Sequence, residues 1–251
     1  MKKIYTLLGF ILFYSCCMAQ DDDESRTPSL ADQAYHASRE YRTVPPYGLK
    51  KVRQLIKDKI VERSAQYDDD SGEDSLPEKL YRSLSVREKF TYNMIYGESY
   101  SQGCNASMVA NEGKKIFGNL PDPFGDRYWS DRQTRFFKDN KDSVIALMTE
   151  SIGRTKRVGL NYKHVIVDID ATSMIPFLIN TYTLARKDHD ILTVLLLMMK
   201  DNNYAPFYAS ASYKKLYGGG HPYSYSALML NPANEALIIQ RATDFYNGLS
   251  K

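Results

Sequence analysis

Asp190-Ile-Leu-Thr-Val-Leu-Leu-Leu-Met-Met-Lys200 is the stretch of this chain that determines its fold. Between Ile191 and Met199 every residue except Thr193 is apolar. A helix that is apolar on all faces has to be buried, and this run is far shorter than the roughly 20 apolar residues that span a bilayer. We therefore expect it to form the buried central helix of a globular domain.

A second helix is predicted directly before it, from Ser173 to Arg186. Its apolar residues recur at helical spacing: Ile175, Leu178, Ile179 and Tyr182. Pro176 is compatible with the first turn, where its missing N–H is not needed. Together the two segments resemble a single helical hairpin of the HEAT-repeat type. The resemblance implies a helical architecture and no particular activity.

The rest of the chain also favours helices. Ser85-Val86-Arg87-Glu88 is a capping box that begins one helix, and Asn231-Pro232 begins the last one. The β-branched run Val165–Ile169 suits a short strand or a buried helix, and its helical neighbours favour the helix. A short helix near 114–117 and a single helix over 204–217 are also expected. The predicted fold is all-α, an irregular multi-helix bundle that contains the HEAT-like hairpin.

Composition divides the chain into five segments. Residues 1–19 are predicted to be a signal peptide, residues 20–46 a flexible polar leader, and residues 47–67 an amphipathic helix with Leu49, Val52, Ile56 and Ile60 on one face. Residues 68–77 are predicted to be a disordered acidic linker, because the run from Asp68 to Asp74 contains no apolar residue. Its spacing lacks the glycine and glutamate of a calcium-binding EF-hand loop. Residues 78–251 should form the helical domain.

The signal peptide rests on three features of residues 1–19. Lys2 and Lys3 give a positive start, a short apolar stretch follows, and Cys17-Met18-Ala19 offers small residues for cleavage. We expect an exported protein, periplasmic or extracellular, with no transmembrane segment. Lipid attachment at Cys16 or Cys17 fits less well, because the residues before each cysteine include Tyr14 and are not those that lipidation usually requires.

The charge balance argues against nucleic-acid binding. The chain has 251 residues and a net charge of +3, and cleavage after Ala19 would remove Lys2 and Lys3 and leave a nearly neutral protein. Such a chain lacks the excess of cations that neutralises phosphates. The same cleavage would remove two of the three cysteines, so that Cys104 could form no intramolecular disulfide. Cys104 could still pair between chains or act as a nucleophile, but we interpret it as a small, partly buried apolar residue.

One acidic residue is a candidate for catalysis. Glu98-Ser99-Tyr100 resembles the Glu-Ser start of the lytic transglycosylase motif, although the glycine-rich continuation of that motif is missing. The resemblance implies a cell-wall glycan-cleaving enzyme, with Glu98 as the general acid that protonates a glycosidic oxygen. The alternative interpretation is an ordinary glutamate near a helix end.

Neither a metal nor a cofactor is expected. The four histidines, His36, His164, His189 and His221, are scattered, and none has a second ligand at helical spacing. Asp188-His189-Asp190 is better explained as the cap of the following helix. A Ser-His-Asp triad assembled from distant positions stays open, but the chain has no Gly-x-Ser-x-Gly elbow.

Twenty tyrosines are unusual for this length, and several of them lie around the glycines 218–220. A tyrosine ring is apolar while its hydroxyl stays hydrated, so clustered tyrosines suit a surface that binds protein or glycan. The predicted binding surface consists of Tyr204, Tyr208, Tyr213, Tyr217, His221, Tyr223 and Tyr225. We therefore favour a non-enzymatic binding or scaffold module of the cell envelope, whose partner is a protein or a glycan. The Glu98 enzyme is the alternative hypothesis.

Overall fold

The computed structural model describes residues 27–61, 75–100, 108–219 and 226–249. The α-helices of these residues are α1 (Leu30–Arg39), α2 (Leu49–Ile56), α3 (Glu78–Ser83), α4 (Val86–Ile95), α5 (Asp131–Asp139), α6 (Lys141–Thr155), α7 (Leu160–Asp168), α8 (Ile175–Ala185), α9 (Asp190–Asp201), α10 (Ala205–Tyr208), α11 (Ala211–Tyr217) and α12 (Pro232–Leu249). A π-helical turn (Lys57–Val61) follows α2, and short 3₁₀ turns cover Glu112–Lys114 and Thr172–Met174. The all-α prediction is confirmed.

The described residues also form two small antiparallel sheets of two strands each. β1 (Ser99–Tyr100) pairs with β3 (Arg127–Tyr128), and β2 (Lys115–Phe117) pairs with β4 (Ala227–Met229). The expectation of a helix near 114–117 is therefore wrong. Ile116 is fully buried and lies opposite Leu228, so this short segment gains more from cross-strand pairing than from a single helical turn.

α9 is the central helix of the main core. All of its residues from Asp190 to Met199 are buried, and it packs against α7, α8, α12 and β2. α7 includes most of the run Val165–Ile169, so the choice of helix for that run is confirmed. α8 and α9 are consecutive helices in contact with each other, as expected for a hairpin, and Pro176 lies in the first turn of α8.

A smaller apolar cluster joins α2, α3 and α4. Its buried members are Val52, Ile60, Leu76, Tyr81, Leu84 and Tyr92. The amphipathic helix predicted for 47–67 begins at Leu49, after Gly48 in a left-handed conformation, and changes to the π-helical turn at Lys57. Leu76 belongs to this core, so the residues at the end of the predicted acidic linker are packed against the domain.

The flexible leader predicted for 20–46 is wrong for residues 30–39, which form α1. Its capping box joins Ser29 and Asp32, and Arg39 is buried at its last turn. Four residues later, buried Thr43 exchanges hydrogen bonds with Asn161 at the start of α7. The polar composition that suggested disorder in fact supplies side chains that bind the domain.

Several predictions fall outside the described residues. These are the signal peptide 1–19, leader residues 20–26, residues 62–67 of the amphipathic helix, residues 68–74 of the acidic linker, and Cys104. In the part of the chain that the structure describes, no helix has the length and apolar character needed to cross a membrane.

Candidate functional site

The structure brings four of the predicted tyrosines together. Tyr204, Tyr208, Tyr213 and Tyr217 lie on or beside α10 and α11, around the buried ring of Phe207. The single helix expected for 204–217 is divided in two, because Ser210 accepts a hydrogen bond from the Tyr213 N–H and so begins a new helix. His221, Tyr223 and Tyr225 lie outside the described residues.

Two of these four rings, Tyr208 and Tyr213, lie closer together than Tyr213 and Tyr217, whose centroids are 5.2 Å apart. Tyr208 and Tyr213 stack with ring centroids 4.2 Å apart and ring planes 28° apart, and Tyr208 is 39% exposed. Tyr213 rests edge-on against Phe207, with centroids 5.4 Å apart. We call Tyr208 and Tyr213 the tyrosine patch.

The other two tyrosines anchor the patch. The Tyr217 hydroxyl donates to the Gly118 carbonyl at 2.8 Å, and burial raises the pKa of this phenol well above its usual range. Tyr204 packs against Phe245 of α12, with ring centroids 5.3 Å apart. These contacts attach α10 and α11 to the core beneath the patch.

Glu98 lies between α4 and α5 and is almost fully buried. One carboxylate oxygen accepts from the Tyr92 hydroxyl at 2.7 Å and from Nη2 of Arg132. The other oxygen accepts from the Ser130 hydroxyl at 2.6 Å and from Nε of Arg132 at 2.8 Å. The Gln133 amide oxygen accepts from the backbone N–H of Glu98 and completes the shell.

A depression of about 510 Å³ opens beside this carboxylate. Ser75, Asp131 and Arg132 contribute to its walls along with Glu98. A general acid must present a proton to a substrate oxygen, within hydrogen-bond distance. Here four protein donors already occupy the two oxygens of Glu98, so the arrangement favours a role in joining α4 to α5.

A buried charge cluster is the feature that sequence reasoning missed. It consists of the buried residues Arg39, Glu112, Lys163 and Asp190 together with the partly exposed Asp188, contributed by α1, the 3₁₀ turn before β2, α7, the first residue of α9 and the residues just before it. Nη1 of Arg39 is 2.5 Å from Glu112, and its Nε is 3.0 Å from Asp190. Lys163 is 2.5 Å from Asp188 and 3.7 Å from Asp190.

Burial and the nearby cations act in opposite directions on the acids of this cluster. Burial disfavours the ionised form of Asp190, but Lys163 and Arg39 together hold the pKa of Asp190 below its usual value. For Asp188 burial prevails over Lys163 and raises the pKa of the carboxyl. The expectation that Asp188 and Asp190 cap α9 is wrong, because no side chain makes a capping hydrogen bond at the N-terminus of this helix. The Asp188 side chain binds Lys163 instead, and the Asp190 side chain binds Arg39.

The histidines are bound separately. His36 lies 2.8 Å from Glu112, Nε2 of His164 lies 2.6 Å from the Pro121 carbonyl, and His189 packs against Tyr35. None of these contacts joins a histidine to a serine nucleophile. Across the four described ranges, no group of three His, Cys, Asp or Glu side chains is arranged to hold a metal ion.

Comparison with known proteins gives no relative. No protein-family model, no curated protein and no solved structure matches this chain. The HEAT-like hairpin and the transglycosylase-like dipeptide therefore remain local resemblances, and functional inference depends on the site geometry alone.

Proposed function

We propose that the chain is an exported, non-enzymatic binding protein of the cell envelope, and that the tyrosine patch binds a glycan. The stacked and partly exposed pair of Tyr208 and Tyr213 is the observation that carries the proposal. The Tyr208 hydroxyl donates to the Lys200 carbonyl at 3.3 Å, which holds the ring in place. Lys214 and Lys215 are exposed on α11, the helix that carries Tyr213, and offer hydrogen-bond donors to sugar hydroxyls.

The size of the patch favours a glycan over a protein partner. A stable protein interface buries about 800 Å² on each side, whereas an aromatic side chain contributes about 150–250 Å² even when it is completely covered. Two partly exposed rings therefore supply only a fraction of a protein interface. They do match the area of one or two sugar rings, which bind by stacking on an aromatic face.

The test is Tyr208→Ala, with Tyr208→Phe and Tyr100→Ala as controls. We expect Tyr208→Ala to weaken binding of N-acetylglucosamine oligosaccharides or soluble cell-wall glycan fragments about tenfold, since an aromatic contact is worth about 0.5–1.5 kcal/mol. Tyr208→Phe keeps the ring and should bind normally. Isothermal titration calorimetry measures the affinity, and circular dichroism checks the fold.

Tyr100 is a useful control because it is 65% exposed and lines the depression beside Glu98. Unchanged binding in Tyr208→Ala, or a loss confined to Tyr100→Ala, would contradict the proposal. Capture of an envelope protein by the wild type and by Tyr208→Phe, without any glycan binding, would make the partner a protein.

Glycan cleavage by Glu98 is the second candidate function. One observation favours it, the depression of about 510 Å³ that Glu98 and Asp131 share. The enzyme hypothesis requires that the wild type solubilise purified cell wall, and that Glu98→Gln abolish this activity while circular dichroism shows the variant to be folded. Asp131→Asn is the matched control at the same depression. Activity that survives Glu98→Gln would eliminate this site.

A further inference from the structure

A cavity of about 610 Å³ lies beside the buried charge cluster, and neither Tyr208 nor Tyr213 of the tyrosine patch belongs to its lining. Four segments enclose it: α1, the turn 156–158, the end of α8 and the start of α9. Its volume falls within the range of about 300–1,000 Å³ that is typical of small-molecule sites.

The floor of this cavity is apolar. Val158, Tyr182 and Ile191 line it, and each of them is at least 97% buried. The Tyr182 hydroxyl donates to Glu235 at 2.9 Å, so its polar atom is already bound by the protein. A ligand in contact with this floor gains most by presenting hydrocarbon.

The mouth of the cavity carries an excess of positive charge. Lys156, Arg157, Arg186 and Lys187 all contribute to its lining, while Asp188 is the one acid among the described lining residues. Lys163 neutralises Asp188 at 2.5 Å. The imbalance therefore favours a ligand that carries a negative charge.

The cations of the mouth differ in their availability. Arg186 pairs with Glu235 at 2.9 Å, and the Arg157 guanidinium lies 3.6 Å from the centre of the Tyr41 ring. Within the described ranges, Lys156 and Lys187 form no ion pair. These two ammonium groups are thus the cations that an anionic ligand can use without breaking an existing contact.

Arg39 also lines the cavity, but its charge is already paired with acidic side chains of the protein. Its guanidinium pairs with Glu112 and Asp190, and it stacks on Phe117 at 4.2 Å. The anionic group of a ligand therefore belongs at the mouth, and the apolar part belongs inside.

The two flanking helices extend the apolar surface. Leu30 of α1 is 82% exposed and Leu184 of α8 is 77% exposed, the highest values for large apolar side chains among the described residues. Leu30 lies four residues before Ala34, and Leu184 lies three residues after Thr181, and both Ala34 and Thr181 line the cavity. Positions three or four apart share a helix face, so each leucine continues a cavity wall.

We propose that this cavity binds a long-chain carboxylate. The hydrocarbon chain lies between α1 and α8 over Val158, Tyr182 and Ile191, and the carboxylate is held by Lys156 and Lys187. This site is independent of the glycan-binding proposal, because the two rest on different residues.

Calorimetry with matched probes tests this assignment. Dodecanoate should bind at one molecule per chain, below its critical micelle concentration. Dodecyltrimethylammonium has a hydrocarbon chain of nearly the same length and the opposite charge, and should bind at least tenfold more weakly. Acetate and inorganic phosphate lack the chain and should bind weakly too. Equal affinity for the two dodecyl probes, or tight binding of phosphate alone, would overturn the proposal.

Variants locate the site. Lys156→Glu/Lys187→Glu should weaken dodecanoate binding at least tenfold, whereas Lys214→Glu/Lys215→Glu makes the same change of charge on α11 and should leave it unaltered. Equal losses in both pairs would show that binding is nonspecific and would overturn the assignment.

Bulky substitutions at the mouth give a second, independent test. Ala34 and Ala185 are exposed residues of the lining on different helices, so tryptophan at either position can fill the mouth without disturbing the buried floor. Ala34→Trp and Ala185→Trp should each block dodecanoate, while Ala236→Trp on the exposed face of α12 should not. Melting temperatures identify any variant with a folding defect. Dodecanoate binding that persists in both folded lining variants would contradict the proposal, and Tyr208→Ala should retain it.

Discussion

Helices α9 and α1 touch at one end, and they are held in place by different forces. All residues of α9 from Asp190 to Met199 are buried, whereas only Asp32 and Arg39 of the ten residues of α1 are. α9 is fixed by non-directional apolar burial, worth about 1.5–3 kcal/mol for each large side chain. α1 is fixed by directional contacts, chiefly those that Arg39 makes with Glu112 and Asp190.

The difference matters because the two kinds of contact respond differently to change. Apolar burial adds up over many neighbours and depends little on pH. A buried ion pair must first offset the cost of desolvating both charges, so its net contribution is small while both partners are present and strongly unfavourable when one is lost. We infer that α9 stabilises the whole domain, whereas α1 is the part whose docking can be altered selectively. Because α1 forms one wall of the cavity, its docking also controls that site.

The largest expected effect comes from truncating the apolar helix. Leu195→Ala removes a side chain that is only 1% exposed, and should lower the free energy of unfolding by about 2–5 kcal/mol. Urea denaturation measures it. Leu237→Ala is the control, because Leu237 is 39% exposed and its loss should cost no more than about 0.5 kcal/mol. Similar losses in the two variants would contradict the central role of α9.

A smaller effect, present near neutral pH and lost at acidic pH, should come from the charge cluster. Despite burial, Lys163 and Arg39 lower the pKa of Asp190 below the reference value of 3.8. Its ionisation therefore stabilises the fold fully above about pH 4, and that contribution is lost as the pH falls through the folded-state pKa.

Asp190→Asn should consequently be less stable than the wild type at pH 6, and the difference should shrink towards pH 2.5. Urea denaturation of both proteins at several pH values measures how the free energy of unfolding of each one changes with pH. A difference that stays constant over this range would show that the Asp190 charge does not contribute.

The smallest effect should come from a cap that depends on neither burial nor buried charge. In the capping box of α4, Ser85 accepts from the Glu88 N–H at 3.3 Å, and Glu88 accepts from the Ser85 N–H at 2.9 Å. Ser85→Ala should cost about 1 kcal/mol in the free energy of unfolding. Ser83→Ala, two residues earlier at the end of α3, is the control and should cost less. Equal costs would show that the box is not a stabilising cap.

The same comparison explains what could be predicted from sequence. α9 and the capping box of α4 are encoded by adjacent residues, as an apolar run and a four-residue motif, and both predictions are confirmed. The position of α1 depends on Arg39 meeting partners 73 and 151 residues away. No local pattern encodes such a pairing, so a polar segment that is docked looks the same as one that is disordered.

The candidate sites also combine features set by neighbouring residues with features set by residues far apart in the sequence. Tyr204, Tyr208, Tyr213 and Tyr217 are close in the sequence, and the structure gathers them. Which rings remain exposed could not be predicted, because that depends on distant partners such as Gly118 and Phe245. The cavity could not be predicted at all, since its walls come from four separate segments.

Hydrogen exchange of the α1 amides in Arg39→Met, compared with Arg42→Met, tests the central claim most directly. Arg42 is an exposed cation just after α1, so the control removes the same type of side chain without touching the cluster. If the buried ion pairs hold α1 in place, protection of residues 30–39 collapses in Arg39→Met while that of α9 persists, and Arg42→Met behaves as the wild type. Unchanged protection of α1 in a folded Arg39→Met protein would contradict the claim.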